Sequence, residues 1–471
     1  MNENIFAFSA TETGYNHTKI DKVCEDASDF YDDEKMHICV VADGHGSDNY
    51  PRADRGSKLA VDAAIKCTID FVNTAKAEDV LTDEKHNYIM LLQLTKSILR
   101  TWHQSVDDDY AKRPFTEIEL ENVSDKYKKK YLAENESDRR IEKAYGCTLI
   151  MYVVTNEYSF GMQVGDGKCV IIDREGNFTE PIPCDENCQM NITTSLCDCD
   201  AIEEFRFFIT DRMPTAVFCG SDGIDDSYAN VEELYALYRS ILKIFIEHGN
   251  EVGKGEIKEY LPVLTKRGSG DDVSIGLIMN AERVKNIAPV LEIQSEIFKL
   301  SEKLKEMKHQ KDVTSEKDKS LSSKIKNWLD SGREYPKKMD DVIQVNELRI
   351  SIKQLSEEIE AIERKIRNLN ERQYGFVFEN EDACSKVMEQ EADNSVDMEL
   401  QDVEDASEVI QEKKSCSEDI VFETAKMEEA ANNVLNGQNQ TTTKANETSE
   451  QRSLIEQSET IETSVTGQEE A

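Results

Sequence analysis

Four stretches of this sequence set an aspartate against a glycine at the edge of a short apolar run. They are VVADGHG at 40–46, MQVGDGK at 162–168, FCGSDGIDD at 218–226 and GSGDDVSI at 268–275. A strand end aims its last side chain away from the sheet, and glycine lets the backbone approach a ligand closely. Asp26, in VCEDAS, joins the set. A single Asp-Gly is an ordinary turn. An ordered series at strand edges constrains the fold much more, because it asks one sheet edge to gather several carboxylates.

Carboxylates converging at one edge repel each other and resist ionisation unless cations neutralise them. Hard divalent cations with oxygen ligands answer that need, and Mg²⁺ or Mn²⁺ takes one or two carboxylates each. The surrounding pattern predicts a mixed α/β domain over residues 1–280. Strands are expected at 36–43, 147–155, 158–166, 168–177, 205–210, 216–223 and 271–279. Apolar residues recur at helical spacing over 53–73, 86–106 and 231–250, the last stopping near Gly249. Strands adjacent in sequence and joined by turns favour antiparallel sheets with segregated helices, an α+β class. Residues 114–143 are highly charged and read as an exposed loop or helix.

The motifs appear in a fixed order: Glu25-Asp26, Asp43-Gly44-His45-Gly46, Gly146-Cys147-Thr148, Gly165-Asp166, Ser221-Asp222-Gly223 and Gly268-Ser269-Gly270-Asp271-Asp272. This order resembles the metal-dependent, type 2C (PPM) family of protein serine/threonine phosphatases over residues 9–280. The opening, Gly14-x-x-His17 and Cys24-x-Asp26-Ala27, looks more like the bacterial-type branch. The resemblance implies a four-layer α-β-β-α sandwich of two antiparallel sheets. It implies that Asp43, Asp222 and Asp271 hold two Mg²⁺ or Mn²⁺ ions, with the Gly44 carbonyl as a further ligand. Asp166 would help hold a third, weaker metal. Asp26 and Glu25 would sit beside the centre and position its waters, with Asp272 as a neighbour. His45 matches the family's proposed general acid, and an unperturbed imidazole has a suitable pKa for protonating a leaving alkoxide.

The expected reaction is hydrolysis of phosphoserine or phosphothreonine by metal-activated water. No cysteine lies in an H-C-x5-R pattern. The alternative is a catalytically weak, phosphatase-like scaffold acting through its C-terminal parts. One departure from the family stands out. Many members carry an arginine shortly before the Glu-Asp motif to grip phosphate, and residues 13–19 have none. His17 or Lys19 could substitute, though lysine is a point charge and not a bidentate fork. Gly167-Lys168 also replaces a common Ser-Arg.

The rest of the chain is different material. Val290, Ile293, Ile297, Leu300, Leu304 and Met307 keep one heptad register. Val345, Leu348, Ile352, Leu355, Ile359, Ile362, Ile366 and Leu369 keep another. Residues 281–375 are therefore expected to form a helical coiled-coil hairpin with a polar loop at 312–340. Residues 290–369 could also serve self-association or a protein partner. Residues 376–471 are Glu-, Gln-, Asn-, Ser- and Thr-rich and read as a disordered acidic tail.

Charge follows these divisions. Residues 1–280 hold 52 acids and 30 bases, 281–375 hold 18 and 20, and 376–471 hold 25 and 6. A total of −39 argues against nucleic acid or an anionic membrane as partner. The N-terminus lacks a signal-peptide pattern and no run has the length of a membrane span, so the chain is expected in the cytoplasm. Twelve scattered cysteines read as ordinary free thiols. Cys184, Cys188, Cys197 and Cys199 offer four thiolates for zinc, but at unusual spacing. His86, His103, His248 and His309 read as surface residues, and Trp102 as core.

Overall fold

The computed structural model describes residues 5–135, 138–185, 193–331 and 338–395. Strand β1 (Ile5–Glu12) leads through the one-turn helix α1 (Tyr15–Lys19) to β2 (Ala27–Asp32) and β3 (Met36–Ala42). Helices α2 (Ala53–Thr74), α3 (Ala77–Val80), α4 (Glu84–Lys112) and α5 (Asp125–Tyr131) follow. Then come β4 (Leu149–Thr155), β5 (Ser159–Val164), β6 (Lys168–Ile172), β7 (Phe178–Thr179), α6 (Ala201–Glu204), β8 (Arg206–Thr210) and β9 (Ala216–Gly220). Helices α7 (Asp222–Asp225), α8 (Val231–His248) and α9 (Asn250–Arg267) precede β10 (Val273–Asn280), and α10 (Ala281–Asp330) and α11 (Lys338–Ser395) end the described chain.

The strands form two five-stranded sheets, ordered β1-β10-β9-β6-β7 and β2-β3-β4-β5-β8, with every pairing antiparallel. The sheets stack, and helices cover both outer faces. Strand periodicity explains why β3 and β4 are apolar throughout. Met36, Ile38, Val40 and Ala42 face the helical layer of α2 and α4, as do Leu149, Met151 and Val153. The alternating Cys39, Val41, Ile150, Tyr152 and Val154 face the other sheet. On the second sheet, Phe218, Ile275 and Leu277 meet α8 and α9, while Val217, Cys219 and Ile278 fill the space between sheets. Both faces of these strands are thus dry, so nothing in them needs to be polar. This is the expected four-layer sandwich.

Some elements escaped the sequence pattern. Strand β2 has an exposed face, and its run ASDFYD has little apolar signal. Helix α9 contains Gly253, Gly255 and Pro262. Yet Ile257, Leu261 and Leu264 line its buried face, and a Cβ on Gly253 would lie 2.8 Å from the Phe245 ring. The glycine therefore sets how closely α9 and α8 approach. The charged segment 114–143 is more than an exposed insert, since Leu120, Val123 and Tyr131 are buried against the core. Trp102 is fully buried and donates to the Gly56 carbonyl at 3.0 Å.

The hairpin is present, with three corrections. Its first helix is also part of the sandwich. Val284, Ile287 and Leu291 are buried in the cluster with α8, and Gln294 donates to the Gly176 carbonyl at 3.0 Å. The expected boundary at residue 280 therefore cuts through a packed unit. Second, the polar segment 312–330 is helical and not loop. It has no proline or glycine to stop the helix, and its Lys, Glu and Ser residues tolerate helix well. Third, α11 runs to Ser395, past the expected limit of 375. The acidic segment 396–471 lies outside the described residues. Chain contacts divide at residue 383, and the second unit is described only as the end of α11.

The two heptad seams meet each other. Met307, Ile359 and Ile362 are buried together, with Leu300, Leu304, Leu355 and Ile366 packed around them. Lys308–Glu363 at 2.9 Å, Lys365–Glu296 at 2.6 Å and Arg349–Asp318 at 3.4 Å flank the seam and run antiparallel. Among the described residues, no helix is long and apolar enough to cross a membrane.

Candidate active site

The aspartates come together because backbone bonds between loops hold their strand ends in register. Asp43 directly follows β3; its amide donates to Thr148 Oγ1 at 3.1 Å, and Thr148 N donates to the Asp43 carbonyl at 2.8 Å. His45 N donates to the Gly146 carbonyl at 3.1 Å. The Gly-Cys-Thr motif thus fixes the Asp-Gly-His-Gly loop. Asp222 opens α7, beside the loop that precedes β10. A Cβ on Gly223 would sit 2.0 Å from the Asp272 carbonyl oxygen, so only glycine permits this approach. Gly165, at φ +102°, turns the chain so that Asp166 follows β5 into the site.

A cavity of about 130 Å³ results. Asp26, Asp43, Asp166, Asp222 and Asp271 line it, with Glu25, Asp272, His17, His45 and Gly44 around them. Every residue expected from the sequence is brought here except Lys19. That side chain lies outside, over the Tyr15 ring at 4.1 Å and bonded to Asn16 Oδ1 at 3.1 Å.

Burial raises the Asp26 carboxyl well above the usual carboxylate range, and neighbouring Asp272 and Asp222 add to the effect. Burial likewise raises Asp43, with repulsion from Asp26 and Asp222. Asp222 is raised for the same reason, with repulsion from Asp166 and Asp271. Carboxyls crowded together out of water hold protons, and a divalent cation can replace those protons. Asp26 is 3% exposed, and its Oδ2 has no hydrogen-bond partner among the described residues. Buried hard oxygens with spare lone pairs fit Mg²⁺ or Mn²⁺.

The second carboxylate layer is held differently. Asp272 is 4% exposed and accepts from Gly14 N and Glu25 N, both at 2.6 Å, and from the His17 ring at 2.9 Å. Burial raises the Glu25 carboxyl, which is paired with Lys22 Nζ at 2.7 Å. Lys22 also donates to the Gly46 carbonyl at 2.9 Å. Lys22 was not legible in the sequence, where it is one lysine in an unpatterned loop.

His45 departs from its expected acid–base behaviour. Burial pushes its pKa down to about 4. Its Nε2 lies 2.8 Å from Ser195 Oγ, and Ser195 in turn reaches the Cys147 carbonyl at 3.1 Å. A ring in this state is neutral at pH 7, so the unperturbed imidazole value does not describe it.

The cysteines near this loop have separate partners. Cys197 is buried against Ser195 at 3.2 Å, and exposed Cys199 receives the Arg140 guanidinium at 3.0 Å. Cys184 is exposed, and Cys188 lies outside the described residues. Among the described residues, one group of three potential metal ligands lies within 4.8 Å, and it is His17, Asp271 and Asp272.

Among solved structures, the chain is similar to the serine/threonine phosphatase Stp1 from Staphylococcus aureus, at 17% identity and a TM-score of 0.36, covering 58% of this chain and 94% of that one. It is similar to the catalytic domain of the phosphatase PstP in complex with two manganese ions, at 14% identity and 0.35, covering 59% and 98%. It is also similar to RsbX in complex with magnesium, at 13% and 0.33, covering 59% and 96%. A search of curated proteins found no match. The family model described as protein phosphatase 2C matches residues 13–261, ending just before Asp271. That match takes in more than half of the chain, which belongs to the protein phosphatase 2C family.

Proposed function

We propose that the chain is a protein serine/threonine phosphatase that hydrolyses phosphoserine and phosphothreonine at a binuclear Mg²⁺ or Mn²⁺ centre. The observation that carries this reading is the cavity itself, where Asp43, Asp222 and Asp271 converge with Asp166 and buried Asp26. Asp43, Asp222 and Asp271 would hold the two ions, with the Gly44 carbonyl. Asp166 would serve a third, weaker site. When bound, the pair of cations would lower the pKa of a water and supply the nucleophile near neutral pH.

The chain's own residues do the remaining work. Asp26 and Glu25 offer carboxylate oxygens that orient water at the inner wall of the cavity. Lys22, between Glu25 and the Gly46 carbonyl, sets a positive charge beside the site. That charge favours an incoming phosphoryl group over a neutral one. His45 is held by Ser195 and stays neutral at the cavity wall, where it shapes the approach, and the leaving oxygen takes its proton from water. A phosphoprotein is the substrate class, and the hairpin serves partner choice and not chemistry.

Mn²⁺-dependent turnover of a phosphothreonine peptide tests the reading, with a sugar phosphate as comparison. Activity is expected in the wild type and lost in Asp43→Asn with Asp222→Asn. Equal rates for the wild type and this double variant would refute it.

A further inference from the structure

The His17 ring lines the cavity beside Asp271 and Asp272. His17 sits on α1, and that turn is held tightly to the loop before β10. Asn16 N donates to the Gly270 carbonyl at 2.8 Å, and Tyr15 N donates to Thr265 Oγ1 at 2.9 Å. Thr265 in turn donates to the Asp271 carbonyl at 2.7 Å. The ring therefore has little freedom relative to Asp271.

Asp272 assigns the ring's tautomer. Its Oδ1 accepts from Gly14 N and its Oδ2 from Glu25 N, in a site 4% exposed. A carboxylate that receives backbone N–H groups on both oxygens is an acceptor only. His17 Nδ1, 2.9 Å from Oδ1, must then carry the hydrogen. In the neutral ring this leaves the Nε2 lone pair free of a proton. Nε2 lies 3.7 Å from Asp271 Oδ1, too far for a hydrogen bond. Two ligands about 2.1 Å from one cation stand roughly 3–4 Å apart, which matches this gap. A carboxylate that orients a histidine through its far nitrogen is also how proteins aim imidazole at metals. Independently, the unpartnered Asp26 Oδ2 marks the same cavity as short of a cation.

We propose that His17 Nε2 is a metal ligand, sharing with Asp271 the cation at that end of the cavity, with Asp272 as the group that orients it. The inference rests on the metal-dependent reading given above and refines it. It also replaces the expectation that His17 grips phosphate, since a lone pair cannot donate to a phosphoryl oxygen. An imidazole ligand suits transition metals better than Mg²⁺. The chain should therefore favour Mn²⁺ over Mg²⁺.

Electron spin echo modulation on the Mn²⁺-loaded full chain tests this directly. The wild type should show ¹⁴N coupling to bound Mn²⁺, changed by ¹⁵N-histidine labelling. The coupling should vanish in His17→Gln and persist in His45→Gln. His17→Phe, which keeps a ring but no nitrogen, serves as a second variant. By titration calorimetry, His17→Gln should lose about tenfold or more in Mn²⁺ affinity and less than about threefold in Mg²⁺ affinity. Bound Mn²⁺ without nitrogen coupling in the wild type, or coupling unchanged in His17→Gln and His17→Phe, would overturn the proposal. A wild type that binds no Mn²⁺ would overturn the metal-centre reading together with it.

Discussion

Replacing Glu119 by glutamine tests how the charged segment 114–143 is tied to the rest of the fold. Arg52 is 1% exposed and marks the start of α2, just after the Asp43 loop. Its guanidinium forks onto Glu119 at 2.8 and 3.2 Å, reaches the Tyr145 hydroxyl at 2.7 Å and stacks 4.4 Å from the Phe115 ring. Burial alone would raise the Glu119 carboxyl, but hydrogen bonds from Arg52 and Thr116 outweigh it and hold the pKa at about 2, from 4.5. At about 1.36 kcal/mol per unit the shift corresponds to roughly 3 kcal/mol. The carboxylate is 23% exposed, so screening trims the expected loss to about 2 kcal/mol. The folded pKa is depressed, so the stabilisation is present above pH 4.5 and lost as pH falls toward 2. Urea unfolding of the wild type and Glu119→Gln should therefore differ by about 2 kcal/mol at pH 7, with the gap narrowing below pH 4.5. Arg52→Met combined with Glu119→Gln should cost less than the sum of the singles, because neither charge is then left buried alone. A difference below about 0.5 kcal/mol at pH 7, or one that ignores pH, would refute this account of the network.

Three further outcomes follow from the same structure. Burial and repulsion raise Asp26, Asp43 and Asp222, so the unfolded chain ionises first and the metal-free fold loses stability as pH rises from about 4 toward neutrality. Melting with and without Mn²⁺ should accordingly show a larger gain at pH 7.5 than at pH 5.5, and an equal gain at both would contradict the raised carboxyls. Truncation after Asn280 strips away Val284, Ile287 and Leu291, each worth about 1.5–3 kcal/mol of burial, and should lower the melting temperature by about 10 °C or more; ending at Lys299 should cost far less. Gly223→Ala drives a methyl onto the Asp272 carbonyl, and should weaken Mn²⁺ binding by calorimetry while costing more than about 2 kcal/mol in urea unfolding.

The fold was legible where burial is two-sided. Continuous apolar runs in β3, β4, β9 and β10 can only lie between two dry layers, and their period of two divides each run between the clusters. The hairpin was legible too, because eight seam positions of α11 keep one register and all are buried or half-buried. What failed were elements whose stabilisation is tertiary. Helix α9 carries two glycines and a proline that propensity scores against, and its three buried aliphatic residues decide the matter only once α8 lies beside them. The domain boundary failed for a related reason. The heptad register was read from Val290 onward, and the turns before it, with Val284 and Ile287, pack on the sandwich instead, since helical spacing fits both uses.

The site divides along the same physical line. Aspartates at strand edges announce themselves as a set, because one Asp-Gly is an ordinary turn but an ordered series of them gathers carboxylates. Their electrostatic state does not, since it depends on distances between loops 100 or more residues apart. His45 shows the cost: its residue type suggested an acid near neutrality, and its burial against Ser195 removes that property. His17 shows the converse. In the sequence it stands only where an arginine was expected, with no partner in sight. The buried carboxylate 255 positions later gives it a tautomer and a direction, with its other nitrogen 3.7 Å from Asp271 in the carboxylate cavity. The departure from the family's pattern at residue 17 and the aspartate at residue 272 are then one feature, since each supplies half of the hydrogen bond that orients the ring.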